Sequence, residues 1–203
     1  LQIRAASETL AADMDVAGLP LSAKRTSKHT LLNRRRFLVT GLAVPALTLP
    51  GLAYAASERR LRFHHTHTNE KLDIVYRDAA GPRPDALARI NNLLRDHRSG
   101  EVVAMDTALL DILSDLYDGH GRTGRFEVIS GYRSPATNEQ LRSHGSGVAK
   151  KSLHMQGKAI DIRLTSVATA ELRAAALELG GGGVGYYAQS DFIHVDTGRV
   201  RHW

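Results

Sequence analysis

Two short apolar runs near the C-terminus carry charge where a strand tolerates it least. In Ala159-Ile160-Asp161-Ile162-Arg163-Leu164, a strand puts Ile160, Ile162 and Leu164 on one face and Ala159, Asp161 and Arg163 on the other. Phe192-Ile193-His194-Val195-Asp196 repeats the pattern, with Ile193 and Val195 opposite His194 and Asp196. A carboxylate and an imidazole on such segments need compensation, because unpaired charge is costly wherever water is excluded. A divalent cation is the simplest compensator. His154 lies seven residues before Asp161 and offers a second imidazole, so His154, Asp161 and His194 form a candidate ligand set. Asp196, on the His194 face, is placed to orient a ligand or simply to form a salt bridge. The chain has no cysteine, so thiolate metal sites, disulfides and cysteine nucleophiles are excluded.

The first 55 residues have a different character. Asn33-Arg34-Arg35-Arg36-Phe37-Leu38-Val39 runs into an apolar stretch up to about Pro50, followed by Ala53-Tyr54-Ala55. A basic patch, a short hydrophobic run and a small-x-small site are the parts of an export signal, here of twin-arginine type. The run is interrupted by Pro45 and Pro50 and falls short of the ~20 apolar residues that span a bilayer. The expected division is a leader at 1–55 and one domain at 56–203, exported to the periplasm, with no stable membrane insertion after cleavage. Of 27 Lys/Arg and 21 Asp/Glu, the leader holds seven and three, leaving 20 and 18. The basic excess is largely the leader's, and no nucleic-acid partner is inferred.

Within 56–203, Leu61–Thr68 and Leu72–Tyr76 read as two strands around a turn. Alternation puts His65 and His67 on one face and His64 on the other, so at most two share an ion; their expected role is surface or hydrogen-bonding. Pro84 to about Arg95 has helical spacing of Ala86, Leu87, Ile90, Leu93 and Leu94. Asp106 is placed to cap a second helix from Thr107 to Tyr117. Arg125–Ser130 is a strand running into Gly131-Tyr132-Arg133-Ser134-Pro135, with a short helix after it. A helix capped by Thr165 or Ser166 ends at Gly180–Gly183, and Val184–Tyr187 pairs with Phe192–Val195 in a hairpin. The fold class is α+β: a mostly antiparallel central sheet with flanking helices.

Taken together, Ser152-x-His154-x-x-Gly157-x-Ala159-x-Asp161, the preceding Ser130-Gly131-Tyr132-Arg133-Ser134 and the later Asp191-x-x-His194 resemble the D-Ala-D-Ala metallopeptidase family. That family shares its core with hedgehog domains. Thr66-His67-Thr68, Arg95-Asp96-His97-Arg98-Ser99-Gly100-Glu101 and the tail His194-Val195-Asp196-Thr197-Gly198-x-x-Arg201-x-Trp203 are most similar to its exported, MepK-like murein endopeptidase branch. The resemblance implies Zn2+ on His154, Asp161 and His194, Asp191 as general base, and Arg133 steadying substrate and the developing oxyanion. It places Ser152 beside the substrate. Many relatives have Glu where Asp191 stands. Trp203 either lines the cleft or packs, and packing is the expectation. The implied activity is cleavage of peptide cross-links in peptidoglycan by a monomer; a D,D-carboxypeptidase and a non-catalytic, zinc-stabilised wall-binding module are the alternatives.

Overall fold

The computed structural model describes residues 58–145 and 148–203; the leader lies outside them. The strands are β1 (Arg59–His65), β2 (Lys71–Asp78), β3 (Gly81–Pro82), β4 (Phe126–Ser130), β5 (Ala159–Leu164), β6 (Gly183–Tyr187), β7 (Phe192–Asp196) and β8 (Arg201–His202). They form one sheet in the order β3-β2-β1-β4-β5-β7-β6-β8. Most neighbours are antiparallel; β1 with β4 and β6 with β8 are parallel. The fold is α+β.

Strand alternation decides which face is buried. Leu61 and Phe63 of β1, Ile74 and Tyr76 of β2, Phe126 and Val128 of β4, Ile160, Ile162 and Leu164 of β5, and Ile193 and Val195 of β7 all enter one core. Helix α1 (Pro84–Leu93) adds Ala86, Ile90 and Leu93, α2 (Thr107–Gly119) adds Leu109, Leu110, Leu113, Leu116 and Tyr117, and α4 (Thr169–Leu179) adds Leu172 and Ala176. These stripes follow helical spacing, so each helix lays its apolar face on the sheet. The opposite face is polar. There Arg62 meets Asp73, and Arg163 meets Glu127 across β4 and β5.

The ends of the elements follow local chemistry. The Asp106 carboxylate accepts from the Ala108 amide at the start of α2, and Ser134 Oγ accepts from Thr137 at the start of α3 (Pro135–His144). Helix α4 starts later than Thr165 or Ser166 would dictate. Its N-cap is Ala168, without a side-chain bond, because Thr165 Oγ1 accepts from the Arg125 amide and Ser166 Oγ donates to the Thr123 carbonyl. Those two hydroxyls tie β5 to the loop before β4.

Candidate metal centre

The site is built on the polar face, where β5 and β7 run side by side. Their antiparallel register pairs Asp161 directly with His194, so the two polar residues on matching faces become neighbours. His154 arrives from a single 3₁₀ turn, Leu153–Gln156, which Ser152 caps by accepting from the His154 amide at 3.3 Å. Gly157 ends that turn at φ +66°. A Cβ there would lie 2.5 Å from the Ala104 carbonyl oxygen, so only glycine permits both the left-handed turn and the close approach.

Three atoms converge. His154 Nε2 is 3.2 Å from Asp161 Oδ1 and 3.1 Å from His194 Nδ1, and His194 Nδ1 is 2.9 Å from Asp161 Oδ1. All three residues are buried. The far side of each imidazole fixes where its proton sits. His154 Nδ1 is 2.7 Å from the Gly131 carbonyl, which only accepts, so Nδ1 carries the hydrogen and Nε2 turns a lone pair inward. His194 Nε2 is 2.9 Å from Asp196 Oδ2, which makes Nε2 the donor and turns Nδ1 inward. Asp161 can also only accept. Three lone pairs facing one another at about 3 Å repel unless a cation lies between them.

The ionisation tendencies of Asp161 and His154 agree with this, while that of His194 runs the other way. Burial opposes charge on Asp161, yet the imidazoles of His154 and His194 and the Arg133 guanidinium hold its carboxyl below the usual range. Burial likewise opposes charge on Asp196, but His194, Arg201 and the Gly198 and Gly183 amides keep it ionised. His154 is pushed down, by burial above all. Burial pulls His194 down as well, but bonds to Asp161 and Asp196 outweigh it and leave its basicity raised. A neutral His154 facing an anionic Asp161 is the protonation state that a metal ligand set needs. Two imidazoles and a carboxylate with 2.9–3.2 Å between ligand atoms come close to the ~3.3 Å edge of a tetrahedron with ~2.0–2.1 Å bonds. The residues fit a small divalent ion and leave a fourth position free.

The other expected residues fall differently. Arg133 reaches the second oxygen of Asp161 through Nη2 and Ser130 Oγ through Nε at 2.8 Å. It lines a cleft of about 500 Å³ over the three ligands, together with Ser152, Lys151, Tyr187, Phe192, Arg201 and Trp203. Asp191 is not among the lining residues. Its carboxylate accepts from Thr169 Oγ1 at the start of α4 and lies 3.6 Å from Arg163 Nη1, with the side chain 65 % exposed. Asp191 also sits at φ +50°, which takes it out of the strand alternation that aligns His194 and Asp196. Trp203, expected to pack, instead borders the cleft half-exposed, with its ring centroid 5.2 Å from that of His194. Asp196 does both things its place on the His194 face allows, bonding His194 and pairing with Arg201: it is fully buried and takes five hydrogen bonds, from His194, Gly183, Gly198 and both terminal nitrogens of Arg201.

The early histidines do not join this centre. His65 Nδ1 accepts the amides of His67 and Thr68, so its Nε2 carries the proton and has no lone pair for an ion. His67 stacks on His97 at 4.3 Å, and His64 bonds Asn69 at 2.8 Å.

Residues 53–203 match the family model described as peptidoglycan L,D-endopeptidase MepK. The chain is 40% identical over 176 residues to the peptidoglycan L,D-endopeptidase MepK of Escherichia coli strain K12, a span of 84% of this chain and 97% of that protein. It is 40% identical over 177 residues to the probable peptidoglycan L,D-endopeptidase MepK of Haemophilus influenzae, covering 84% and 95% of the two chains. With a match that takes in the whole of the domain carrying His154, Asp161 and His194, the chain belongs to the MepK peptidoglycan L,D-endopeptidase family.

Proposed function

We propose that this protein is a zinc-dependent endopeptidase of the periplasm that hydrolyses L,D-peptide cross-links of peptidoglycan. The observation that carries the chemistry is the convergence of His154 Nε2, His194 Nδ1 and Asp161 Oδ1 within 2.9–3.2 Å of one another at the floor of an open cleft. The relatives' names carry the substrate and the bond. The twin-arginine-type leader and its route of export belong to the same proposal.

His154, Asp161 and His194 would hold the ion. Zinc bound there supplies Lewis acidity: it brings the pKa of a water toward ~7 and polarises a carbonyl. The chain's own residues do the rest. Arg133, pinned by Ser130 and Asp161, keeps a guanidinium in the cleft with donors to spare for the oxygen that becomes negative as water adds to the peptide carbon. Ser152 holds the turn that presents His154 and lines the wall beside it. As the C–N bond breaks, the water's proton must reach the leaving amine through a base. Asp191 is the residue that the resemblance assigns to this step. In the conformation described it is bonded to Thr169, so the role requires its turn, Ala188–Asp191, to release that hydroxyl.

The test is digestion of defined cross-linked muropeptides with products identified by mass. Cleavage of L,D cross-links that stops with chelator and returns with zinc is expected. Release of terminal D-alanine alone would make the protein a carboxypeptidase, and binding of sacculi without any product would make it a wall-binding module.

A further inference from the structure

The cleft has an aromatic wall that the ligand set does not explain. Trp203 is 48% exposed and Tyr187 38% exposed, yet both are fixed. The Trp203 indole donates through Nε1 to Tyr187 Oη at 3.1 Å, and the Arg201 guanidinium lies 4.9 Å from its ring centroid. Its backbone is held on both sides, from Trp203 N to the Val184 carbonyl and from Tyr186 N to the Trp203 carbonyl. Beneath the ring is Gly185, where a Cβ would lie 2.7 Å from Trp203 Cε2. Tyr187 in turn stacks on Phe192 at 4.6 Å and 16°. An indole that faces water gains little from burial, so immobilising it this thoroughly points to a ligand that covers it.

The charges around the wall narrow the ligand. Lys151 and Arg201 border the same cleft. Lys151 has no ion-pair partner among the described residues, and Asp161 is the only carboxylate residue lining the cleft there. Arg201 is already paired with Asp196, which leaves Lys151 as the unpaired cation beside the wall, and an apolar surface next to such a charge suits an aliphatic group that ends in a carboxylate. Distance sets which part of the substrate that is. The indole is 5.2 Å from His194, centroid to centroid, so its ligand lies within about one residue of the bond cleaved over the ion. A glycan strand is separated from that bond by several residues of stem peptide.

We propose that Trp203 and Tyr187 form the wall that receives the aliphatic, carboxylate-bearing residue of the peptidoglycan peptide next to the scissile bond, with Lys151 facing its carboxylate and Arg201, held by Asp196, backing the indole. The inference rests on the endopeptidase reading and deepens it. Trp203 is the only tryptophan in the chain, so its emission reports the wall directly. The metal-loaded full-length protein is titrated with an uncross-linked stem peptide, which offers no cross-link to cleave. The expected result is a saturable emission change. The same peptide with its carboxylates converted to carboxamides is expected to bind about tenfold more weakly, and a peptide-free glycan oligosaccharide to leave the emission unchanged. In turnover of cross-linked peptide, Trp203→Ala is expected to raise KM about tenfold with kcat within about threefold and metal content unchanged, and Trp203→Phe to recover most of the loss. Emission that ignores saturating peptide, a response to the oligosaccharide instead, or a Trp203→Ala protein with lowered Tm and unchanged KM would each overturn the proposal. Saturable peptide binding without hydrolysis of any cross-link would leave the wall standing and remove the endopeptidase reading.

Discussion

His194 is gripped from both sides, with Nδ1 toward Asp161 and His154 and Nε2 on Asp196. Replacing His154 or His194 by Ala removes an inward lone pair; if the site takes zinc as proposed, the purified variants are expected to hold none by atomic emission while keeping their circular dichroism. Asp196→Asn leaves the ligands in place but weakens the acceptor that turns Nδ1 inward; a fall of about 10–100-fold in zinc affinity by chelator competition is expected. The meeting of Asp161 and His194 was legible, because a strand period of two put both on polar faces and the register then joined them. Asp191 was not: a single residue at φ +50° breaks the alternation from which its direction would be read. Asp191→Asn is therefore the decisive variant for the base. Loss of hydrolysis by ~10²-fold or more, with zinc retained, is expected of a general base. Turnover within about threefold of the parent would assign Asp191 to holding the turn against Thr169.

At the level of elements, His154 depends on a turn of four residues that no packing stripe supports. Its stop is Gly157, whose left-handed φ and contact with Ala104 both exclude a side chain. Gly157→Ala is expected to cost about 1–2 kcal/mol for the backbone alone, to move the turn, and to weaken zinc binding measurably. Gly180→Ala is the control. It has φ +61° at the end of α4 but open space around it, so stability should fall by a similar backbone cost with zinc affinity unchanged. The long strands and helices were legible because each repeats its period over several residues. The two-residue β3 and β8 have no period to read, and the parallel pairing of β1 with β4 joins segments about sixty residues apart. The α4 start was misplaced for a different reason: two good capping hydroxyls were spent on a tertiary tie between loops.

Across the described domain, one sheet separates two chemistries: an apolar core under three helices, and a polar face that carries the candidate ion site over the interior strands β5 and β7. Besides His154 on the polar face, one acid-sensitive group lies on the core side. His65 is fully buried at the end of β1, and burial, followed by the nearby His97 and His67, pushes its pKa down to about 4. Its Nδ1 is occupied by two amides that donate to it, so protonation there breaks the turn. The folded state resists a proton that the unfolded chain accepts at about 6.5. The unfolded state therefore binds more protons between those values, and stability falls as pH drops through that window. The loss from His65 alone is expected to reach about 2 kcal/mol by pH 5 relative to pH 7. Asp96, Asp161 and Asp196 are all held below the usual carboxylate range, so they withdraw stability only at lower pH. Denaturant midpoints measured from pH 7 to pH 5 check this directly. In His65→Gln the amide oxygen can accept in place of Nδ1, and the variant should be less stable at pH 7 yet show a flatter slope across the window. An unchanged slope would place the titrating group elsewhere, with His97 and His154, whose pKa values are also lowered by burial, as the next residues to replace.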